Sequence, residues 1–335
     1  MVSKRMRYVL FGDTGVRVSE LAFGTMSFGG DADEATAAAL FETCREAGVT
    51  LFDCADVYAQ GRAESLLGEL IRPCRDEIVL TTKAYFPTGL GQNDQGSSRY
   101  HLVRAVEASL RRLQTDRVDV FFLHHWDRLT HLDESLRTLD DLVRAGKVLY
   151  PAVSNFAAWQ VEKALGRCAL HGWARPVCVQ PMYNLLKRQA EVELLPMAAE
   201  ERLAVLPYSP LAAGLLTGKY GPTRAPRSGR LVSNAMYKAR YADARVYDVA
   251  DAFATYAAER GTSPAALAVA WVRDHPAVTA PLLGARNPAQ LAQALAATEV
   301  RLDADERARI GALAGEPASA TDRAEEGTDA EFGAR

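Results

Sequence analysis

The chain has 335 residues, of which 48% are hydrophobic, with a formal net charge of -3 and a pI near 6.1. This length suits one α/β barrel or two ordinary domains, and no break in composition marks a boundary between two. The charge provides no excess of cations to attract phosphate backbones or anionic lipid, so nucleic acid and membrane surfaces are poor candidate partners.

The compartment is inferred from what the sequence lacks. No apolar run is long enough to span a bilayer. The start of the chain, MVSKRMRYVLFGD, passes into strand-like sequence without a small-residue cleavage site. We therefore expect a cytoplasmic protein.

Cysteine usage argues against a disulfide framework or a zinc knuckle, because the cysteines are scattered, odd in number and never form Cys-x-x-Cys. They are Cys44, Cys54, Cys74, Cys168 and Cys178. Most are expected to be small buried residues. Cys54 lies beside Asp53 and is a weaker candidate nucleophile, for which the sequence supplies no evident base.

Residues 8–21 hold two short β-prone runs around Gly-Asp-Thr-Gly, a pattern typical of a hairpin that we expect to plug one end of a barrel. Strand and helix patterns then alternate. The predicted strands are residues 21–24, 50–53, 78–83, 118–124, 148–154, 177–180, 204–208 and 278–284. The predicted helices are residues 33–47, 63–72, 98–113, 132–145, 159–169, 192–201, 246–260, 264–274, 288–296 and 303–313.

Eight short apolar strands that alternate with helices favour a closed parallel barrel. An open doubly wound sheet is the alternative, but the first strand-to-helix turn, residues 24–30, lacks Gly-x-Gly-x-x-Gly spacing. Residues 209–241 are too long for a connector and are expected to form a functional loop. We predict an α/β fold, a (β/α)8 TIM barrel with an N-terminal β-hairpin and extra helices. It forms a single domain with a core at about residues 8–313 and an acidic, mobile tail at residues 316–335.

Three successive predicted strands each end on an ionisable residue: Asp53, Lys83 and His124. Side chains at the carboxyl ends of parallel barrel strands converge on one face, so these three are expected to meet around Tyr58. Any one of them alone is more often a residue that simply meets solvent. Their coincidence with polar or glycine residues at the other strand ends carries the prediction; these are Gly24, Ser154, Asn155, Gln180, Tyr208 and Gly284.

The residue types at these ends indicate proton transfer. A free tyrosine is a reluctant acid at neutral pH, but an adjacent ammonium such as Lys83 would lower its pKa, and Asp53 would hold that ammonium. A histidine could orient a carbonyl oxygen or assist the proton relay. The site is therefore expected to protonate a carbonyl oxygen, or deprotonate an alcohol, while a nicotinamide cofactor supplies the hydride.

The same rim offers groups for such a cofactor. Ser154, Asn155 and Gln180 could hold a carboxamide, and Tyr208 offers a ring to stack on it. Loops after the seventh and eighth barrel strands often bind phosphate. Here they contain Ser209, Leu211, Gly214, Lys219, Gly284 and Arg286.

From about residue 8 to 313 the chain resembles the aldo-keto reductase superfamily. The matching segments include LAFGTMSFGG (21–30), LFDCADVYAQGRAESLLGE (51–69), TTK (81–83), DVFFLHHWD (119–127), VSNF (153–156), VQPMYNLLKR (179–188), YSPLAAGLLTGKY (208–220) and PLLGARNPAQL (281–291). The chain is most similar to the bacterial branch that also includes the β subunits of voltage-gated potassium channels.

The resemblance implies a catalytic tetrad of Asp53, Tyr58, Lys83 and His124, in which Tyr58 gives the proton to the carbonyl. It implies NADPH-dependent reduction of an aldehyde or ketone, with keto-sugars among the candidates. The implied cofactor-binding residues are Gly24, Thr25, Met26, Asp53, Ser154, Asn155, Gln180, Tyr208, Ser209, Leu211, Gly214, Lys219, Gly284, Arg286 and Gln290. Arg286 favours NADPH over NADH, because a guanidinium can pair with a 2′-phosphate.

Two departures from the family pattern stand out. Gln293 and Ala294 replace a Glu-Asn pair, which puts the adenine contact in question. Pro151 and Ala152 replace Ile-Gly, and we predict a local bulge because proline removes a ladder donor.

The substrate mouth is expected to be aromatic, which suits aldehydes, aryl ketones or sugars, although each aromatic residue could equally be part of the core. The candidates are Phe28, Tyr58, Tyr85, Phe86, His124, His125, Trp126, Tyr237 and Tyr241. The expected partner is a small carbonyl substrate, and no oligomeric partner is evident.

Two other functions remain open. One is a cofactor-binding redox sensor or regulatory subunit with slow turnover. The other is a metal-dependent hydrolase built on His124, His125, Asp127 and His131. The hydrolase is disfavoured because the first strand lacks the His-x-His of barrel metallohydrolases, so no metal is expected.

Overall fold

The protein is built from a two-stranded hairpin and eight parallel strands with helices around them. The computed structural model describes residues 6–227 and 229–321. The hairpin consists of β1 (Tyr8–Leu10) and β2 (Arg17–Ser19). The parallel strands are β3 (Ala22–Gly24), β4 (Leu51–Asp53), β5 (Val79–Ala84), β6 (Val118–Leu123), β7 (Val148–Ser154), β8 (Cys178–Gln180), β9 (Ala204–Val205) and β10 (Leu282–Leu283).

The strands alternate with helices as the sequence predicts, and the ends shift by only a few residues. The helices are α1 (Glu34–Glu46), α2 (Arg62–Ile71), α3 (Arg99–Leu113), α4 (Leu132–Arg144), α5 (Ala158–His171), α6 (Leu194–Glu200), α7 (Arg230–Ser233), α8 (Ala235–Arg240), α9 (Arg245–Glu259), α10 (Pro264–Arg273), α11 (Pro288–Leu295) and α12 (Ala304–Ala312). Polar caps fix several of their starts: Asp33, Ser98 and Asn287 each accept a hydrogen bond from a backbone N–H of the first turn.

The sheet curls into a barrel. Its strand order is β10-β3-β4-β5-β6-β7-β8-β9, and every neighbouring pair is parallel. Backbone hydrogen bonds from Thr279 N to Val205 O (3.0 Å) and from Leu282 N to Pro207 O (2.8 Å) join the two end strands. The (β/α)8 prediction is therefore confirmed.

The hairpin plugs the end of the barrel opposite the carboxyl ends of the strands. Phe11 and Val18 are buried in one apolar cluster with Leu51, Val120 and Phe122 from the barrel strands. Gly12, with φ +59, lies so close to the barrel that a Cβ there would meet the Arg202 carbonyl oxygen at 2.8 Å. The opposite rim stays open for the functional site.

The prediction of a bulge at Pro151 is wrong. The pairing of β6 with β7 keeps one register through Tyr150, Pro151 and Ala152. The Pro151 carbonyl oxygen accepts a hydrogen bond from Val177 N (2.9 Å). The nitrogen of Pro151, which has no hydrogen to donate, therefore faces the residues that precede β8. No ladder hydrogen bond is lost there, and the strand stays regular.

Two expectations concern the ends of the chain and the membrane. Within the predicted tail, Glu316 pairs with Arg188 (2.8 Å), whereas residues 322–335 lie outside the described residues. Across the described ranges, no helix combines the length and the apolar character required to cross a membrane.

Candidate active site

The carboxyl ends of the strands surround a cavity of about 790 Å³. Asp53, Tyr58 and His124 line one wall of it, and Lys83 lies directly behind them, fully buried. The three strand-end residues predicted from sequence thus meet around Tyr58. Parallel pairing produces this arrangement, because it sets Asp53 beside Thr81 and Lys83 beside Phe122 on one rim.

Lys83 and Asp53 form a buried ion pair. Lys83 Nζ donates to Asp53 Oδ2 (2.6 Å) and to the Cys54 carbonyl oxygen (2.7 Å). The other carboxylate oxygen, Oδ1, accepts hydrogen bonds from Thr81 Oγ1 (2.6 Å) and Gln180 Nε2 (3.1 Å). A buried charge that loses its partner is strongly destabilising, so this network fixes both groups in place.

Tyr58 is held beside this pair by a strained turn. Ala59 and Gln60, which follow it, have left-handed φ values of 47 and 57, a conformation that is uncommon for residues other than glycine. Lys83 Nζ lies 5.3 Å from the centre of the Tyr58 ring, and the His124 ring approaches it edge-on at 6.1 Å between centroids. The turn therefore presents the phenol to both predicted partners.

The expectation that Lys83 lowers the pKa of Tyr58 is contradicted. Burial raises that pKa well above its ordinary value, and the Asp53 carboxylate raises it further. The physical reason is that the Lys83 ammonium is already neutralised by Asp53 at 2.6 Å. Tyr58 is consequently protonated at neutral pH and available as a proton donor.

His124 is an uncharged imidazole in this environment. Burial, together with the positive charges of Lys83 and His125, lowers its pKa well below the ordinary 6.5. Its Nδ1 is buried without a hydrogen-bond partner among the described residues. A neutral ring beside Tyr58 can bind a carbonyl oxygen without adding a second cation to the site.

Amide and hydroxyl groups form the wall next to the ion pair. Asn155 adopts a left-handed φ of 57; its Nδ2 donates to the His124 carbonyl oxygen (2.9 Å), and its Oδ1 accepts from Tyr208 Oη (2.8 Å). Ser154 Oγ donates to the Gln180 carbonyl oxygen (3.0 Å). These residues line the cavity as one rigid polar surface, the kind that can orient a carboxamide.

A cluster of cations lines the far part of the cavity. Lys219, Arg230 and Arg286 all line it, and none has an acidic partner within residues 6–227 and 229–321. Burial lowers the pKa of Lys219, and the charges of Arg286 and Arg230 lower it further. These positive charges repel one another, so the cluster fits a ligand that brings several negative charges.

The neighbouring backbone has the close approach expected of a phosphate site. Ser209, Ala212 and Ala213 have left-handed φ values of 63, 49 and 57. At Gly214, with φ +99, a Cβ would meet Lys219 Nζ at 3.1 Å. Only glycine leaves room there for the ammonium, so the residues present fit a dinucleotide: amides at one end and cations at the other.

Most of the predicted site residues line this cavity. Those that do, besides the tetrad members already named, are Gly24, Met26, Phe86, His125, Ser154, Asn155, Gln180, Tyr208, Ser209, Leu211, Gly214, Lys219, Tyr237, Gly284, Arg286 and Gln290. Gln293, at the position that departs from the family pattern, lines it as well, whereas Ala294 is buried in the core.

Two predicted residues lie under the cavity instead of on its wall. Phe28 is fully buried, and its ring packs against Phe23 at 5.8 Å between centroids. Thr25 is also buried, and its Oγ1 donates to the Asp53 carbonyl oxygen (3.0 Å). Both positions support the rim from inside the protein.

Three other aromatic candidates lie near the cavity but do not line it. The Tyr85 ring stacks on His125, with 5.2 Å between centroids. Trp126 packs edge-on against Phe156 and Trp159 instead of facing the cavity. Tyr241 is buried and accepts a hydrogen bond from Asn184 Nδ2 (3.1 Å).

The sequence reasoning missed lining residues that have no strand-end signal. They include Ser27, Val57, Arg230, Met236 and Arg240. Three of them belong to the long segment predicted as a functional loop, which folds into α7 and α8 and covers the cavity. The signal in the sequence was the length of that segment and its richness in Gly, Pro, Arg and Tyr.

One buried thiol and one buried acid lie near the site and differ in chemistry from the tetrad. Burial raises the pKa of Cys54, so that thiol is not ionised at neutral pH and lacks the reactivity of a thiolate. Asp56 is 2% exposed, and neither of its carboxylate oxygens has a partner in the described part of the chain. As for metals, the described residues contain no group of three His, Cys, Asp or Glu side chains able to hold an ion.

A barrel with a neutral tyrosine, a Lys-Asp pair and a phosphate-fitting loop at one rim defines an oxidoreductase. A model of the aldo/keto reductase family matches residues 20–314, and the chain belongs to that family. The family membership supports action on carbonyl compounds with a nicotinamide cofactor.

Several relatives match over nearly their whole length. An uncharacterized oxidoreductase, YrpG, of Bacillus subtilis is 37% identical over 89% of this chain and 93% of its own. A probable voltage-gated potassium channel subunit beta of Arabidopsis thaliana is 35% identical, with 88% and 92% covered. Versiconal hemiacetal acetate reductase of Aspergillus parasiticus is 28% identical, with 90% and 95% covered.

Proposed function

We propose that the protein reduces an aldehyde or ketone to the alcohol with NADPH, and that Tyr58 is the proton donor. The observation that carries this proposal is the protonated phenol of Tyr58, placed beside a neutralised Lys83-Asp53 pair and the neutral ring of His124. When bound, the cofactor supplies the hydride. The chain's own residues then hold the carbonyl oxygen and deliver the proton.

The proposed reduction gives each group of residues a distinct role. His124 and Tyr58 would bind the carbonyl oxygen, and the Tyr58 hydroxyl would give its proton as charge develops there. The Lys83-Asp53 pair, with Lys83 Nζ 5.3 Å from the centre of the Tyr58 ring, would hold the phenol in place for this transfer. Ser154, Asn155 and Gln180 would orient the nicotinamide, and Lys219, Arg230 and Arg286 would bind the phosphates.

The preference for NADPH rests on Arg286, whose side chain lines the cavity without an acidic partner in the described ranges. In Arg286→Ala, we expect KM for NADPH to rise by about 10- to 100-fold and KM for NADH to change little, because one charge-assisted pair is lost. The assay follows cofactor absorbance with aldehydes, aryl ketones, dicarbonyls and keto-sugars. Arg309→Ala, at an exposed position on α12, is the matched control. Equal effects on both cofactors would remove Arg286 from this role.

The neutral state of His124 has its own consequence. Because burial lowers its pKa well below 6.5, the His124 ring does not change its charge between pH 6 and 8. We therefore expect kcat at saturating NADPH to show no break near 6.5. A profile measured with a slow substrate, for which the chemical step limits the rate, checks this; a clear break there would mean that His124 titrates during turnover.

A regulatory subunit with slow turnover is the second candidate function. It is supported by the relatives from Arabidopsis thaliana and Oryza sativa, at 35% and 36% identity, whose names describe probable potassium channel β subunits. Tight NADPH binding with negligible turnover across the carbonyl panel would favour this candidate over the reductase.

A further inference from the structure

A fourth cation, Arg240, lines the cavity and has no role in the function proposed above. Lys219 responds electrostatically to Arg286 and Arg230, which places those three charges together at one end. Arg240 adjoins this group, because its guanidinium and that of Arg230 lie over the same Tyr237 ring. Burial raises the pKa of Tyr208, and the Arg240 guanidinium opposes that rise, so Arg240 lies within electrostatic reach of the phenol that hydrogen-bonds to Asn155.

Tyr237 links Arg240 to the proton donor. The Arg240 guanidinium lies over the Tyr237 ring, 5.1 Å from its centre, and Arg230 lies over the same ring at 5.6 Å. Tyr237 is only 6% exposed, and it is close enough to Tyr58 to contribute to the raised pKa of that phenol. The ring, which both arginines cover, therefore holds Arg240 on the cavity wall between the phosphate-binding cations and the Tyr58 end.

The turn that precedes α8 fixes this placement. Asn234 caps the helix, and its side chain accepts hydrogen bonds from Met236 N (3.0 Å) and Tyr237 N (3.3 Å). Arg240 Nη2 donates a hydrogen bond to Met236 Sδ (3.8 Å), and Arg240 forms no ion pair with an acid among the described residues. The guanidinium is thus ordered by neutral neighbours and keeps its charge for a ligand.

No acid at this end competes for that charge. Asp53 is the acidic residue that lines the cavity within the described part of the chain, and Lys83 already neutralises it at 2.6 Å. Neutral groups make up the rest of the nearby wall, including Val57, Phe86 and Met236. A fork of five N–H donors beside these neutral groups suits one planar or tetrahedral anion.

We propose that Arg240 binds an anionic group of the substrate, so that the preferred substrates are carbonyl compounds with a carboxylate or a phosphate. This inference rests on the proposed reductase function, because it assigns the substrate class of that same site. The apolar wall would hold the carbon chain or ring between the two polar ends of the substrate. Arg240 determines specificity and takes no part in the proton transfer.

The test compares substrates that differ only in charge. 4-Carboxybenzaldehyde and methyl 4-formylbenzoate share the ring and the aldehyde, and glyceraldehyde 3-phosphate with glyceraldehyde forms the phosphate pair. We expect the wild-type protein to favour the anionic member of at least one pair. In Arg240→Gln, kcat/KM for that member should fall by about 10- to 100-fold, while the neutral member changes by less than about threefold.

Two further variants locate the effect. Arg240→Lys keeps the charge but loses the planar fork, so partial activity toward the anionic substrate is expected. Lys238→Gln removes a positive charge from an exposed position of the same helix, and should leave both members of each pair unchanged. NADPH affinity, measured by fluorescence quenching, should be the same in wild-type protein and Arg240→Gln.

Three outcomes would overturn the inference: equal losses for the charged and neutral members, equal losses in Lys238→Gln, or a weaker affinity of Arg240→Gln for NADPH. If no carbonyl compound is reduced at all, the reductase function fails separately. Calorimetry of the NADPH complex with 4-(hydroxymethyl)benzoate and with its methyl ester then decides on Arg240, since anion binding there requires no turnover. Binding of the acid that persists in Arg240→Gln would exclude the assigned role.

Discussion

Replacement of Tyr58 by phenylalanine is expected to lower kcat by about 10²- to 10⁴-fold, the range that a positioned general acid contributes. Burial and the Asp53 carboxylate keep the phenol protonated at neutral pH, so this hydroxyl carries the proton that a bound carbonyl would receive. Phenylalanine keeps the ring that packs against the core but removes the proton. The loss should fall on kcat with little change in cofactor affinity.

The experiment separates loss of chemistry from loss of fold. NADPH oxidation and NADPH affinity are measured on the same preparation of Tyr58→Phe, with Tyr100→Phe as the control because Tyr100 is 63% exposed and lies outside the cavity lining. Unfolding midpoints should agree among the three proteins. If Tyr58→Phe turned over at the wild-type rate, another group would have to supply the proton.

The sequence predicted the part of the site that strand ends position. Asp53, Lys83 and His124 each follow a short apolar run, and parallel pairing leaves little freedom in where such residues meet. Their identification needed no knowledge of packing. The same holds for the barrel itself, whose alternation of strands and helices is a local pattern.

The remainder depended on tertiary contacts that no local pattern encodes. Arg230 and Arg240 lie in a segment without helical periodicity, and only the folded chain shows that α7 and α8 cover the cavity. The direction of the Tyr58 pKa was predicted wrongly because desolvation outweighs an ammonium that Asp53 already neutralises. Phe28 illustrates the same limit, since an aromatic residue in a turn can face inwards or outwards.

Asp56 is the buried acid that the proposed mechanism does not use. Burial raises its pKa to about 8, and the charge of Glu64 raises it further, while Arg112 and Lys83 oppose the shift. Glu64 is itself held by Thr82 Oγ1 (2.5 Å) and by Arg112 Nε (2.7 Å). Arg112, which opposes the shift most, is therefore already paired with another carboxylate. The backbone N–H of Val57 also lowers the pKa, but no group in the described ranges makes a well-formed hydrogen bond to the Asp56 carboxylate.

The effect of Asp56 on stability has a definite sign. Its pKa is about 8 in the folded protein and near 3.8 in the unfolded chain, so between these values the folded state binds more protons. The contribution of Asp56 to the free energy of unfolding therefore falls as pH rises from about 4 to about 8, and levels off above that. The contribution is expected to be a few kcal/mol, with about 6 kcal/mol as its upper bound.

Asp56→Asn should abolish this pH dependence, because the amide has nearly the same shape as the carboxyl but cannot ionise. We expect the variant and the wild-type protein to be about equally stable near pH 4, and the variant to be more stable by a few kcal/mol at pH 8.5. Urea unfolding at both pH values measures the difference, with Asp305→Asn, at an exposed position on α12, as the control. Parallel pH profiles for Asp56→Asn and wild type would show that the carboxyl finds a partner in solution. A gap that widens with pH, absent in Asp305→Asn, would instead establish that the protein keeps an acid un-ionised two residues from Tyr58.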